Sequence, residues 1–296
     1  MLPSKISIKF LFSFILLGLL VGSISFAQQA TFTPQKKPII KPPKGQEYVF
    51  GYLEVPENRS AKESRMIKLP VYIFKARNKE RSTVDPVIYL VGGPGSSVMG
   101  AIPYIKAYQY ADDRDFILLE QRGTCYAQPA LDCPEWEKAR LKASLANLSE
   151  EEAEKLYLEA TQDCRDRLIA KGIDLNGYRT TEIAADVEDL RKALNIDQYN
   201  LLTLSYGCKI AQVLMRDYPD HIRTVVMDAP LPVEANYDIE SLENLMRTYD
   251  RIFTDCEKDE ACQAAFPNIR QKWKAFLQEK TDQPLEIKVV SPDTQD

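Results

Sequence analysis

Ser205 stands where an apolar run over 201–204 gives way to a helical pattern that opens at Tyr206. A serine at such a strand-to-helix turn presents its hydroxyl at the end of a sheet, where it can act as a nucleophile. The usual pattern of this turn is G-x-S-x-G. Gly207 supplies the second glycine, and Thr203 occupies the place of the first. S-x-G is a common tripeptide, and alone it reads more readily as a serine capping a helix. A second feature sharpens the reading. Gly92-Gly93-Pro94-Gly95 follows another apolar run, 87–91. Glycines after a strand let the backbone turn so that an N–H faces a developing oxyanion. A phosphate-binding loop would need a Lys-Ser/Thr ending, which is missing. The expected oxyanion donors are the N–H groups of Gly93 and of Tyr206, the latter also at a helix N-terminus.

A serine at neutral pH needs a base. The single histidine of the sequence is His221. It follows the helix that starts at Tyr206, and about thirteen residues at 1.5 Å each put it roughly 20 Å from Ser205. His221 is therefore expected at the far end of the sheet and not as the base. Asp228 falls at the correct end, as an alternative acid or as a turn residue. Arg122, in Glu120-Gln121-Arg122-Gly123, reads as a structural guanidinium tying loops together.

The elements that must position these groups alternate. Strands are expected over 48–55, 66–76, 87–91, 116–119, 201–204 and 223–227, from β-branched, aromatic and continuous apolar content. Helices are expected over 149–171, opened by a Ser149/Glu152 capping box, and over 181–194 and 206–218. Strands alternating with helices imply an α/β fold, a mostly parallel sheet flanked by helices. After Asp228 the pattern turns helical (239–253 and 269–277), with one more apolar run at 285–290.

Residues 1–27 read as a signal peptide: Lys5 and Lys9, an apolar run over 10–22, and Ser25-Phe26-Ala27 at the cleavage position. Residues 28–46, rich in Lys, Pro, Gln and Thr, read as a flexible lead-in, 47–233 as the core and 234–296 as an incomplete helical cap. A net charge of −5 without a basic block argues against nucleic acid as a partner. No metal-ligand cluster is visible, no cofactor is implied, and no membrane association is expected once the leader is removed. Six cysteines in an exported chain suggest disulfides. Cys256 with Cys262 is the easiest pair and Cys133 with Cys164 the next, although sequence alone does not choose among the pairings.

Taken together, several motifs in order resemble the tripeptidyl aminopeptidase and proline iminopeptidase branch of the α/β-hydrolases. They are Gly51-Tyr52-Leu53-Glu54-Val55-Pro56, Gly92-Gly93-Pro94-Gly95, Gln121-Arg122-Gly123-Thr124, Leu131 and Cys133, Ser205-Tyr206-Gly207, and Cys256…Cys262 followed by Ala264-Ala265-Phe266-Pro267. The resemblance implies an α/β-hydrolase fold with a helical cap insertion. It also implies a secreted serine exopeptidase acting on peptide N-termini through an acyl-enzyme on Ser205, with no cofactor. It places the acid and the histidine after the cap, beyond Asp296, so that the chain by itself is expected to be inert. Departures from the pattern are Val91 for a histidine, Glu120 for an aspartate, Cys125 for a glycine and Cys208 for a threonine. The two cysteines admit a bridge beside the nucleophile, with two buried free thiols as the favoured reading. An esterase or other acyl hydrolase, and a non-catalytic binder, are the competing readings on the same fold. Glu234, Asp238 and Glu240 read as a solvated acidic face.

Overall fold

A computed structural model describes residues 29–78, 80, 85–146 and 148–285. The expected leader (1–27) and the apolar run beyond Leu285 lie outside the described residues. The chain divides into two compact units, 1–233 and 234–296.

In the first unit one seven-stranded sheet is built from β1 (Thr31–Gln35), β2 (Tyr48–Pro56), β3 (Met66–Phe74), β4 (Val87–Leu90), β5 (Phe116–Leu119), β6 (Tyr199–Leu204) and β7 (Ile222–Asp228). The spatial order is β1-β2-β3-β5-β4-β6-β7. β1, β2, β3 and β5 pair antiparallel in turn, and β5, β4, β6 and β7 pair parallel. Only β1 and β3 oppose the common strand direction.

The central strands are buried on both faces, and side chains alternate between two cores. Ile88, Leu90, Ile117 and Leu119 enter one core, with Ile183, Val187 and Leu190 of a helix over Thr180–Ala193 and Ile210, Val213 and Leu214 of a helix over Tyr206–Asp217. Val87, Tyr89, Phe116 and Leu118 enter the other, under the 3₁₀ segment Val98–Ala107. Two further helices, α1 (Pro134–Ala146) and α2 (Glu150–Ala170), form a hairpin joined by the Cys133–Cys164 disulfide. Ser149 and Glu152 make the expected capping box at the start of α2. The helices Thr180–Ala193 and Tyr206–Asp217 are α3 and α4.

Strand order decides where chemistry can occur. From β4 the chain moves to β5 on one side, then crosses to β6 on the other. Loops leaving the ends of β4 and β6 therefore diverge and open a crevice at the carboxyl ends of adjacent strands. The glycine loop follows β4, and Ser205 follows β6.

Two expectations require correction. Residues 28–46 were expected to be a flexible lead-in, yet Thr31–Gln35 is an edge strand antiparallel to β2. Thr31, Phe32 and Thr33 suit a strand, and Pro34 is tolerated at an edge. Gly51 opposite makes room, since a Cβ there would stand 2.7 Å from the Phe32 ring. Further on, the Ile40 N–H donates to Tyr72 Oη, which donates back to the Ile40 carbonyl, both at 2.8 Å. The second correction concerns Cys125: it and Cys208 are both free thiols and form no bridge, but Cys208 alone is buried and Cys125 is exposed.

The second unit contains α5 (Tyr237–Lys258), α6 (Glu260–Ala265) and α7 (Ile269–Asp282). The Cys256–Cys262 disulfide ties the end of α5 to α6. Arg270 of α7 pairs with Glu257 and Asp250 and lies 5.5 Å over the Phe253 ring.

Candidate active site

Ser205 adopts φ 54° and ψ −119° at the start of α4. A non-glycine residue in that region is strained, and such strain collects at sites where a side chain must be presented against the ordinary run of the backbone. The turn is held by its flanks. The Ser205 N–H donates to the Asp228 carbonyl at the end of β7 (2.9 Å), and the Cys208 N–H donates to the Ser205 carbonyl (2.9 Å). Ser205 is half-buried, and its hydroxyl makes no hydrogen bond among the described residues. It is a serine hydroxyl without a partner at the mouth of the crevice.

Thr203 departs from the usual glycine without disturbing the turn. It is fully buried, and its hydroxyl lies 3.1 Å from the Val226 carbonyl and 3.2 Å from Cys208 Sγ. The Cys208 thiol reaches the Asp228 carbonyl at 3.3 Å. The two departures thus fit one another: the threonine and the cysteine interlock beneath the turn and anchor it to β7. Gly207 is needed for a different reason. A Cβ there would lie 2.2 Å from the Leu90 carbonyl oxygen, so only glycine lets α4 begin against the end of β4.

The glycine loop passes directly over Ser205. A Cβ on Gly92 would stand 2.7 Å from Ser205 Cβ and 3.1 Å from its Oγ. Gly93 has φ 113°, which favours glycine, and its N–H finds no acceptor among the described residues. The Tyr206 N–H belongs to the first turn of α4, where a helix leaves its donors without internal partners. Its ring is buried, with Oη 2.8 Å from Thr180 Oγ1, and burial raises the phenol pKa.

Glu120 and Gln121, at the end of β5, support this loop. The Gln121 amide donates to the Val91 carbonyl (2.9 Å), just before Gly92. Glu120 is completely buried. One of its oxygens accepts from Ser97 Oγ (2.9 Å) and the Val98 N–H (3.1 Å), just after the loop. The other faces Thr124 Oγ1 (2.9 Å) and the Tyr126 N–H (3.3 Å). Burial raises the Glu120 pKa, against the lowering effect of these donors. The sequence reading missed both roles; the signal available was a carboxylate and an amide placed immediately after a buried strand.

Arg122 is a structural group. Its buried guanidinium donates to Asp186 Oδ2 (2.7 Å) and to the carbonyls of Glu57 (2.5 Å) and Gly177 (2.7 Å). His221 sits beyond α4 at the opposite end of β6, with Nδ1 2.8 Å from the Asp197 carbonyl. It is out of reach of Ser205. Asp228 meets the elbow through its carbonyl. Among the described residues no group of His, Cys, Asp and Glu side chains could hold a metal.

A family described as alpha/beta hydrolase fold matches residues 85–263, more than half of the chain and including both the glycine loop and Ser205. The chain belongs to the alpha/beta hydrolase fold family. This alpha/beta hydrolase is 25% identical over 269 residues to YuaR of Escherichia coli (strain K12), covering 86% of this chain and 51% of YuaR. It is 24% identical over 255 residues to the serine protease Hip1 of Mycobacterium tuberculosis, covering 79% of this chain and 46% of Hip1. It is 29% identical over 189 residues to a tripeptidyl aminopeptidase of Streptomyces lividans, covering 60% of this chain and 34% of that enzyme. The chain thus spans about half the length of YuaR and Hip1.

Proposed function

We propose that this chain carries the nucleophile and oxyanion loop of an exported serine hydrolase, an aminopeptidase that releases proline or short peptides from peptide N-termini. The observation that carries the reading is Ser205: a strained, unengaged serine under a glycine loop at the crevice of an α/β sheet. Its hydroxyl would attack the scissile carbonyl. The Gly93 and Tyr206 N–H groups would receive the oxyanion, and an acyl-enzyme would form on Ser205. The reading requires a base brought to Ser205 by another segment, since His221 is remote. The names of two relatives, serine protease and tripeptidyl aminopeptidase, favour a peptidase. Two disulfides and the leader-like residues 1–27 support export, and no described helix is long and apolar enough to cross a membrane.

The test compares free-amine tripeptidyl and prolyl amides, N-blocked versions of the same amides, and short acyl esters, using the full-length protein and its Ser205→Ala variant. The proposal expects turnover of the free-amine amides, little with the blocked ones, and loss of at least 1,000-fold on Ser205→Ala, on the order seen when a triad nucleophile is removed. Ester turnover with no amide turnover would instead assign an esterase. Unchanged turnover in Ser205→Ala would defeat both.

A further inference from the structure

We propose that Glu120 and Gln121 are positioning residues for acyl transfer, holding the glycine loop at both ends so that it stays fixed over Ser205. The inference rests on the serine hydrolase reading and extends it to residues that never touch the substrate.

The geometry is a bracket. Gln121 takes the Val91 carbonyl at the entry of the loop, and Glu120 takes the Ser97 hydroxyl and the Val98 N–H at its exit. Between these points the chain runs through Gly92, Gly93, Pro94 and Gly95, and Gly93 and Gly95 both have positive φ. Glycines supply the needed conformations but hold none of them, because a residue without Cβ has the widest choice of backbone angles. The loop therefore takes its rigidity from neighbours. Ser97 also caps the 3₁₀ segment Val98–Ala107, accepting from the Met99 N–H (3.2 Å) while it donates to Glu120. One carboxylate thus fixes the loop exit to a segment packed in the core.

The choice of a carboxylate follows from its donors. Each oxygen faces a backbone N–H, Val98 on one side and Tyr126 on the other. Hydroxyl donors can rotate away, but backbone amides cannot. Only a group with two acceptors satisfies both. A glutamine of the same size must turn its NH₂ towards one of them, leaving a buried donor opposed by another donor, a costly arrangement. Keeping a carboxylate in a fully buried position is costly too. Loop placement explains why the position is so occupied: an oxyanion donor displaced by about 1 Å can cost on the order of 100-fold in rate.

The experiment uses the full-length protein with Glu120→Gln, Glu120→Asp and Gln121→Met. Two quantities are read: amide hydrogen exchange in 92–99 and 123–127, and kcat separately from KM on whichever substrate the wild type turns over. In Glu120→Gln, exchange in both segments should rise at least tenfold while β4, β5 and β6 stay protected. Its kcat should fall about 10- to 100-fold with KM within about twofold. Glu120→Asp, which keeps two acceptor oxygens, should lie nearer wild type than Glu120→Gln. Gln121→Met should loosen 92–99 alone, and it keeps the bracket testable should Glu120→Gln fail to fold. Wild-type exchange in the variants, or faster exchange with unchanged kcat, would overturn the inference. A wild type that turns over nothing and is not labelled at Ser205 would defeat the hydrolase reading and, with it, the catalytic role of the bracket. The exchange readout would then stand as a statement about the loop alone.

Discussion

At the scale of single residues, the site depends on close approach. Gly92 lies so near Ser205 that Gly92→Ala would drive a methyl into the serine side chain, 2.7 Å from its Cβ. The expected outcome is loss of Ser205 reactivity by at least 100-fold with a folded protein, read by labelling rate and circular dichroism. Gly207→Ala presents a harsher conflict, because its neighbour at 2.2 Å is the Leu90 carbonyl, a backbone atom that cannot swing away. Overpacking of this kind costs about 1–3 kcal/mol, and the elbow must shift with it. Gly207→Ala should therefore lower both activity and melting temperature, whereas Gly92→Ala lowers chiefly activity. The thiols give a third prediction. Native protein treated with iodoacetamide should alkylate Cys125 and spare Cys208, which becomes reactive only on unfolding. Modification of neither thiol after unfolding without reductant would restore the bridge between them.

At the scale of elements, the strand before Ser205 and the helix after it were legible because both patterns are strong. Leu201, Leu202 and Leu204 make an apolar run broken only by Thr203, and Ile210, Val213 and Leu214 mark the buried face of α4. The capping box of α2 was legible because Ser149 and Glu152 have the spacing that the motif requires. α1 was not legible. It buries only Ala139 and Ala143, so no apolar stripe marks it, and its place depends on packing against α2 beside a disulfide. β1 was hidden by the lysines and prolines that follow it; its pairing with β2, Pro34 opposite Gly51, joins positions 17 residues apart. Of the site, the serine and the glycine loop could be read, since glycine and serine are punctuation in any sequence. The Glu120–Gln121 bracket could not, because it joins positions more than twenty residues apart. The α1–α2 hairpin carries a prediction of its own. Closing a loop of 31 residues, Cys133–Cys164 contributes up to about 4 kcal/mol in the chain-entropy model. Cys133→Ala with Cys164→Ala should lower the melting temperature while leaving the Ser205 elbow, whose contacts lie elsewhere, in place.

At the scale of the whole molecule, acid should unfold the first unit through carboxylates that ionise more readily when folded. Burial opposes ionisation of Asp85, but hydrogen bonds and charges from Arg114, Asn200 and Arg223 outweigh it and hold its pKa below the ordinary 3.8. At Glu188 burial is likewise outweighed, by Arg191 and Lys192, and its pKa falls below 4.5. A depressed folded pKa contributes stability that is present above the unfolded value and is lost as pH falls through the folded one. Glu120 has the opposite sign: its raised pKa favours the fold at low pH and loses that contribution as pH rises. With the depressed pair in the majority, the melting temperature should hold near neutrality and drop as pH is lowered below about 4.5. A melting temperature that rises on acidification would show that the buried glutamate dominates instead.

The account stands on the chemistry of one hydroxyl, and a covalent probe reads it most directly. Full-length protein is treated with a fluorophosphonate, digested, and the peptides are weighed. The prediction is a single adduct, on the peptide spanning β6 to α4 and located at Ser205, absent from Ser205→Ala. Full-length protein that takes up no adduct, or takes it up equally in Ser205→Ala, would contradict the account.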